Sequence, residues 1–270
     1  MENNNKAFES KWASALKGGY QEERSVFVPQ GYVPHTQRQF ILFREFELIA
    51  EIAKKHGVKT ALEIGCGRGT MALYLNRYFG VRVAATDISE DAVALAKENF
   101  ALHNGEGDIL RADAARLPFA DDSFDMTMSV GLLEHVPDYM SLLREQYRVL
   151  KKGGVLVSIN IPKKASVQAL NRIYRAARRI AHHKEEHKKD YFRTSETPAQ
   201  YAAKARAAGF TDVYTFHANP FPIFTPVSQP AEQRLAALYE RIFRVRDRFL
   251  QHPFKSSALL SQEHFMVGVK

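Results

Sequence analysis

Cysteine is almost absent from this chain: Cys66 is the only one in 270 residues. One thiol cannot close an intrachain disulfide or build a cysteine-based metal site, so the fold does not depend on oxidation. A metal would have to be held by histidines and carboxylates. Nowhere do about 18 apolar residues run together, which leaves no candidate for a membrane-spanning helix. The opening residues, Met1-Glu2-Asn3-Asn4-Asn5-Lys6, lack the basic and then apolar stretch of a secretory signal, and the expected location is cytoplasmic. Internal repeats and low-complexity tracts are missing too, so solenoid and linker-like architectures are set aside.

What is present is an ordinary globular composition, 45% hydrophobic and 25% charged, in a chain long enough for one catalytic domain with decorations. The net charge of +8 is unevenly spread. Residues 1–159 hold 19 Lys/Arg against 21 Asp/Glu, and residues 160–270 hold 19 against 9. A basic second half can attract nucleic acid, an anionic lipid surface or an acidic substrate, and it also serves solubility.

Leu42, Phe46, Ile49 and Ala53 recur at helical spacing before a His56-Gly57 stop, which predicts a helix over 36–56. From there the pattern alternates. Strands are expected at 59–64, 81–86, 108–112, 124–129 and 155–161. Helices fall between them: after Gly69, from Ser89 to about His103, and from Tyr139 to Lys151. Such an order predicts an α/β fold with a doubly wound, mostly parallel sheet. A helix from Thr197-Pro198 to Gly209, a strand at 211–216, a helix over 231–250 and a strand at 262–269 bring the sheet to seven strands. The divisions are 1–58, an N-terminal helical lid and leading helix; 59–162, the first half of the core; 163–194, a basic helical cap inserted after the fifth strand; and 195–270, the completion of the core.

The turn after the first strand, Glu63-Ile64-Gly65-Cys66-Gly67-Arg68-Gly69, carries three glycines. They let the main chain bend sharply and let a ligand approach it closely. Dinucleotide-binding enzymes use a similar turn, and Glu63 separates the two cases. A carboxylate two residues before the first glycine repels a pyrophosphate and suits a cationic or zwitterionic ligand. Asp87, at the carboxyl end of the second strand, is placed to accept both hydroxyls of a ribose. Ser89 is already a good helix cap, so Asp87 is expected to be free for that task. Asp113 ends the third strand at the height of an adenine edge, where its carboxylate can accept from an exocyclic amine and the Ala114 amide can donate to the ring. An Asx turn is the competing role for Asp113.

Taken with Leu117-Pro118-Phe119, Ser123-Phe124-Asp125, Gly131-Leu132-Leu133-Glu134-His135-Val136 and Leu150-Lys151-Lys152-Gly153-Gly154, these segments resemble the ordered motifs of the class I S-adenosylmethionine-dependent methyltransferases. The small-molecule branch, which includes ubiquinone and menaquinone biosynthesis enzymes, is the nearest likeness. It covers residues 59–162 well and the rest only in the order of elements. Lys152 stands where a typical member has proline, in a turn that needs only a permissive main chain. The resemblance implies S-adenosyl-L-methionine as cofactor and no metal. It implies Gly65 and Gly67 at the methionine end with Glu63 nearby, and Asp87 and Ile88 on ribose and adenine. It further implies Asp113 and Ala114 on the adenine edge, and main-chain groups of Ser129 and Val130 on the methionine amine.

The expected reaction is an in-line methyl transfer to a small-molecule acceptor, anionic, lipid-linked or sugar-derived, in which positioning supplies up to roughly 7–11 kcal/mol. His135, just past the fourth strand, is the candidate general base for a hydroxyl or phenol; the competing role of the Glu134-His135 pair is to order the loop. Trp12, Tyr20, Phe27 and Tyr32 are candidates for a lid over the cofactor. The aromatic stretch from Phe216 to Phe224 is read as packing before recognition. His182, His183 and His187 have a possible metal spacing but lie among Lys and Glu, which favours a solvated face. Two other functions stay open: a nucleic-acid methyltransferase, disfavoured because Ser129-Val130-Gly131-Leu132 replaces the Asn/Asp-Pro-Pro-aromatic tetrad, and a non-catalytic cofactor-binding regulator. Peripheral contact with anionic lipid also stays open for the basic half.

Overall fold

The structure is a computed structural model that describes residues 2–17, 26–161, 192–223, 229–250 and 254–270. In chain order the elements are α1 (Glu2–Lys17), α2 (Gln37–Lys55), β1 (Thr60–Ile64), α3 (Thr70–Phe79), β2 (Arg82–Asp87), α4 (Glu90–Leu102), β3 (Gly107–Arg111), β4 (Phe124–Val130), α5 (Met140–Val149), β5 (Leu150–Asn160), α6 (Pro198–Ala207), β6 (Thr211–Ala218), α7 (Gln229–Asp247) and β7 (Glu263–Val269). A 3-10 turn, Leu133–His135, sits between β4 and α5.

Local chemistry sets the helix starts. Thr36 accepts the Gln39 amide at 3.0 Å ahead of α2, and Ser89 caps α4 with Glu90 and Asp91 in its first turn, where negative charge is favoured. Ahead of α6, Thr197 and Gln200 form a reciprocal capping box with Pro198 in the first turn, the arrangement that proline's missing N–H allows there.

The seven strands lie in the order β3-β2-β1-β4-β5-β7-β6. Strands β1 to β5 pair in parallel, and β7 runs antiparallel to both β5 and β6. Strand residues alternate between two faces. Ala61, Ala85, Met128, Val157 and Phe265 pack with residues of α2, α3 and α7, while Leu156 and Met266 pack with Leu142, Leu143, Tyr201 and Ala205 of α5 and α6. The strand order reverses between β1 and β4, and in such sheets the crevice at the carboxyl ends beside that point is where ligands bind.

Two boundaries differ from the sequence reading. The fifth helix stops at Val149 rather than Lys151, and β5 starts at Leu150 rather than Val155. Leu150 pairs with Phe124 before the register shifts, and Val155 then pairs with Met126. The Gly153 main chain, at φ +75°, lies within that irregularity, so the Gly-Gly pair bends a strand that has already begun. Helix α1 lies within the residues expected to form a helical lid. No helix of the described residues is long and apolar enough to cross a membrane.

Candidate functional site

The turn after β1 is built on left-handed glycines, with φ of +65° at Gly65, +52° at Gly67 and +67° at Gly69. Space is as restrictive as conformation. A Cβ on Gly65 would lie 2.9 Å from Leu132 Cδ1, and one on Gly67 would lie 2.5 Å from Trp12 Cη2. Gly69 heads α3 without a capping side chain. Glu63 supplies the missing acceptor: its Oε2 takes the Ala72 amide at 2.8 Å. Burial pushes the Glu63 carboxyl up to about 8 against the pull of the Ala72 and Met71 amides. Discrimination against a phosphate therefore rests on occupation, since Glu63 already holds an amide of the helix N-terminus that a phosphate would need.

Asp87 ends β2 beside this turn, and Cys66 donates its amide to Thr86 O at 2.9 Å. The carboxylate is not free, contrary to the sequence expectation. Its Oδ2 accepts the Gly67 amide at 2.9 Å and its Oδ1 the Ser89 amide at 3.0 Å. Ser89 does cap α4, through Ala92 N at 3.4 Å, but a cap at position 89 leaves the amide of Ser89 itself to be satisfied, and Asp87 does so. Burial raises the Asp87 carboxyl, opposed by those two amides and by the Lys11 ammonium. A carboxylate offers about four lone-pair directions, so two amides leave capacity for ribose hydroxyls. Ile88 beside it is 42% exposed.

Asp113 lies past the tip of β3 and is exposed. Its Oδ1 accepts the Ala115 amide at 2.9 Å, so the Asx turn is formed. The Ala112 amide donates to Asp87 O at 3.0 Å and holds the two tips together. Ala114 is half-buried. Ser129 is fully buried in β4, its Oγ 3.2 Å from Ser158 Oγ. At the end of that strand Val130 pairs with Ile159.

His135 and Glu134 face this array from the turn after β4. The Thr194 amide donates to Glu134 O at 2.8 Å, and His135 Nδ1 lies 2.7 Å from Phe192 O. A carbonyl only accepts, so Nδ1 carries the proton and Nε2 the lone pair. Burial pushes the imidazole down to about 4, the Phe192 carbonyl opposing and Arg193 and Lys11 adding to the shift. Glu134 is fully buried. Its Oε1 accepts the Ile161 amide at 3.2 Å, and its Oε2 has no hydrogen-bond partner among the described residues. Burial pushes that carboxyl up to about 7 against the pull of its own amide, Arg193 and others.

The lid aromatics separate. Trp12 packs on the glycine turn; Phe27 joins Tyr74, Tyr78 and His103; Tyr32 is 69% exposed; Tyr20 lies outside the described residues. In the stretch from Phe216 to Phe224, Phe216 stacks on Phe265 and Phe221 packs with Phe40 and Tyr239, while Phe224 lies outside. The candidate metal histidines His182, His183 and His187 and most of the basic cap also lie outside. Among the described residues no group of three or more His, Cys, Asp or Glu side chains is placed to hold a metal.

Sheet order, glycine turn and acid at the tip of β2 together resemble the arrangement of the class I S-adenosylmethionine-dependent methyltransferases. More particularly, residues 62–158 match the family described as methyltransferase domain. A demethylmenaquinone methyltransferase of Listeria monocytogenes serotype 4a is 39% identical over 105 residues, 37% of this chain and 43% of that one. The chain spans less than half the length of such curated relatives. Among solved structures, the [4+2]-cyclase SpnF shares a TM-score of 0.58 at 18% identity, over 98% of this chain and 93% of that one. Phosphoethanolamine N-methyltransferase 2 of Haemonchus contortus, solved with S-adenosyl-L-methionine, shares 0.52 at 19% identity, over 83% and 52%. These likenesses show the fold. A cyclase among them makes the chemistry a matter for the site itself.

Sequence reasoning had not singled out Lys11, or Arg193 apart from the basic cap. Neither carries a motif, and both reach the site only because α1 docks on the turn and residues 192–194 run along the His135 turn.

Proposed function

We propose that this chain is an S-adenosylmethionine-dependent methyltransferase acting on a small-molecule acceptor. The observation that carries this reading is the β1 turn: left-handed glycines fastened to the Asp87 carboxylate, with Glu63 holding the helix amide that a dinucleotide pyrophosphate would need. The cofactor fits the residues present. Asp87 has lone pairs left for a ribose, and its carboxylate supplies acidic surroundings for a cationic ligand. Ile88, Asp113 and Ala114 would take the adenine side, and the main chain of Ser129 and Val130 the amine. When bound, S-adenosyl-L-methionine supplies an activated methyl electrophile, so the protein's work is positioning and proton removal.

For the proton the chain offers His135. With Nδ1 pinned by Phe192 O and the ring neutral above about pH 4, its Nε2 side can accept a proton from an acceptor hydroxyl. The likeness to a demethylmenaquinone methyltransferase favours a phenol or quinol as the acceptor class. The test is release of S-adenosylhomocysteine from S-adenosylmethionine against a panel of quinols, phenols and amines. A phenolic acceptor should turn over, and His135→Ala should lower kcat about 100-fold or more. The factor lost in His135→Ala should be the same at pH 6 and pH 8, since a base is lost only as pH falls through its pKa. No product with any acceptor would leave a cofactor-binding protein without catalysis, and turnover unaffected by His135→Ala would remove the base.

A further inference from the structure

Helix α1 reaches the cofactor turn through one aromatic ring. Trp12 is buried, closes over Gly67, and packs with Ala15 and Leu16 against Ala92 and Leu95 of α4. Two cations flank its indole: Lys11 Nζ lies 4.3 Å from the ring and the Arg68 guanidinium 5.2 Å. Lys11 is half-buried, and the groups that feel its charge lie on three separate elements. They are Asp87 at the tip of β2, Glu134 and His135 past β4, and Arg193 beside them.

We propose that Trp12 and Lys11 are cofactor-binding residues: Trp12 covers the methionine end at Gly67, and Lys11 takes the carboxylate of that end. The proposal rests on the cofactor reading above. A methionine end is zwitterionic. The acids and carbonyls around the β1 turn serve its ammonium, and a cation must serve its carboxylate. Of the two cations on Trp12, Lys11 is the nearer, 4.3 Å against 5.2 Å, and its charge acts on both Asp87 and Glu134. Its surroundings favour an anion: burial pushes the ammonium down to about 8, with Arg38, Arg68 and Arg193 repelling it and Asp87 attracting it. A carboxylate placed among these cations relieves that repulsion.

Trp12 is the only tryptophan of the chain, so intrinsic fluorescence reports on this position alone. The experiment titrates wild type, Lys11→Met, Lys11→Arg and Trp12→Phe with S-adenosylhomocysteine and with 5′-methylthioadenosine, which lacks the amino-acid end. Affinities are read by calorimetry, and Trp12 emission is followed in the three variants that keep it. Wild type should show a change in emission with S-adenosylhomocysteine. Lys11→Met should weaken that ligand about tenfold or more, leave 5′-methylthioadenosine unchanged, and be largely rescued by Lys11→Arg. Trp12→Phe should weaken S-adenosylhomocysteine more than methylthioadenosine. Equal loss for both ligands, no loss for either, or emission indifferent to a ligand that calorimetry shows to bind would overturn the proposal. Wild type that binds methylthioadenosine and S-adenosylhomocysteine equally would also overturn it while sparing the cofactor reading. Failure to bind either would overturn both.

Discussion

Asp87 fastens the fold at the position proposed for the ribose. Its two oxygens already hold the Gly67 and Ser89 amides, so the glycine turn and the start of α4 are fastened to the tip of β2 through one carboxylate. Asp87→Ala is therefore expected to weaken S-adenosylhomocysteine binding by about 1–3 kcal/mol and to lower the thermal midpoint as well, because two buried amides lose their acceptor. Calorimetry paired with a thermal scan checks both. A midpoint unchanged from wild type would mean that the amides find water instead, and unchanged affinity would place the ribose elsewhere. The identities of Glu63, Gly65, Gly67 and Asp87 were legible because their spacing around a strand end is itself the signal. Their partners were not. That Glu63 would accept from Ala72, or that Trp12 would lie on Gly67, depends on how helices pack, which no local pattern encodes.

Between elements, the least expected feature is a pair of carboxyls buried where α2 meets β7. Glu45 and Glu263 are both buried, with Asn219 Nδ2 3.4 Å from Glu263 Oε2. Burial pushes both upward, Glu263 to about 7, and the charge of Glu263 adds to the rise at Glu45. A carboxyl whose folded pKa lies above its unfolded value stabilises the fold fully below the unfolded pKa, near 4.5. That contribution is lost as pH rises through the folded pKa. Stability from this pair should accordingly be greatest near pH 4–5 and decline toward pH 8. Glu45→Gln keeps the hydrogen-bonding shape without the second charge, so it should raise the urea midpoint at pH 8 and change it little at pH 5. A midpoint lowered equally at both values would show packing, not charge, to be the issue. The helices and strands themselves were largely readable, since Thr36, Ser89 and Thr197 announce three helix starts and strand alternation matches the two core faces. The docking of α1 on α4 was not, because its apolar contacts Trp12, Ala15 and Leu16 make too short a stripe to name their partner.

At the scale of the molecule, the sequence divides into a nearly neutral first half that holds the cofactor turn and a basic second half. The expected basic cap at 163–194 lies outside the described residues except for Phe192, Arg193 and Thr194. Those three run along the Glu134-His135 turn, at the carboxyl ends of the strands. Sheet order and cofactor crevice could be read from the alternation of elements because each parallel strand needs a crossover helix. The acceptor's side could not, because it is assembled from segments distant in sequence that share no motif. The central claim concerns which ligand the β1 turn is built for, and the most direct measurement is a calorimetric titration of the wild-type chain with S-adenosylhomocysteine and, separately, with NAD. The account predicts saturable binding of S-adenosylhomocysteine and no measurable heat with NAD, since Glu63 holds the amide at the α3 N-terminus. Tight binding of NAD with no response to S-adenosylhomocysteine would contradict it.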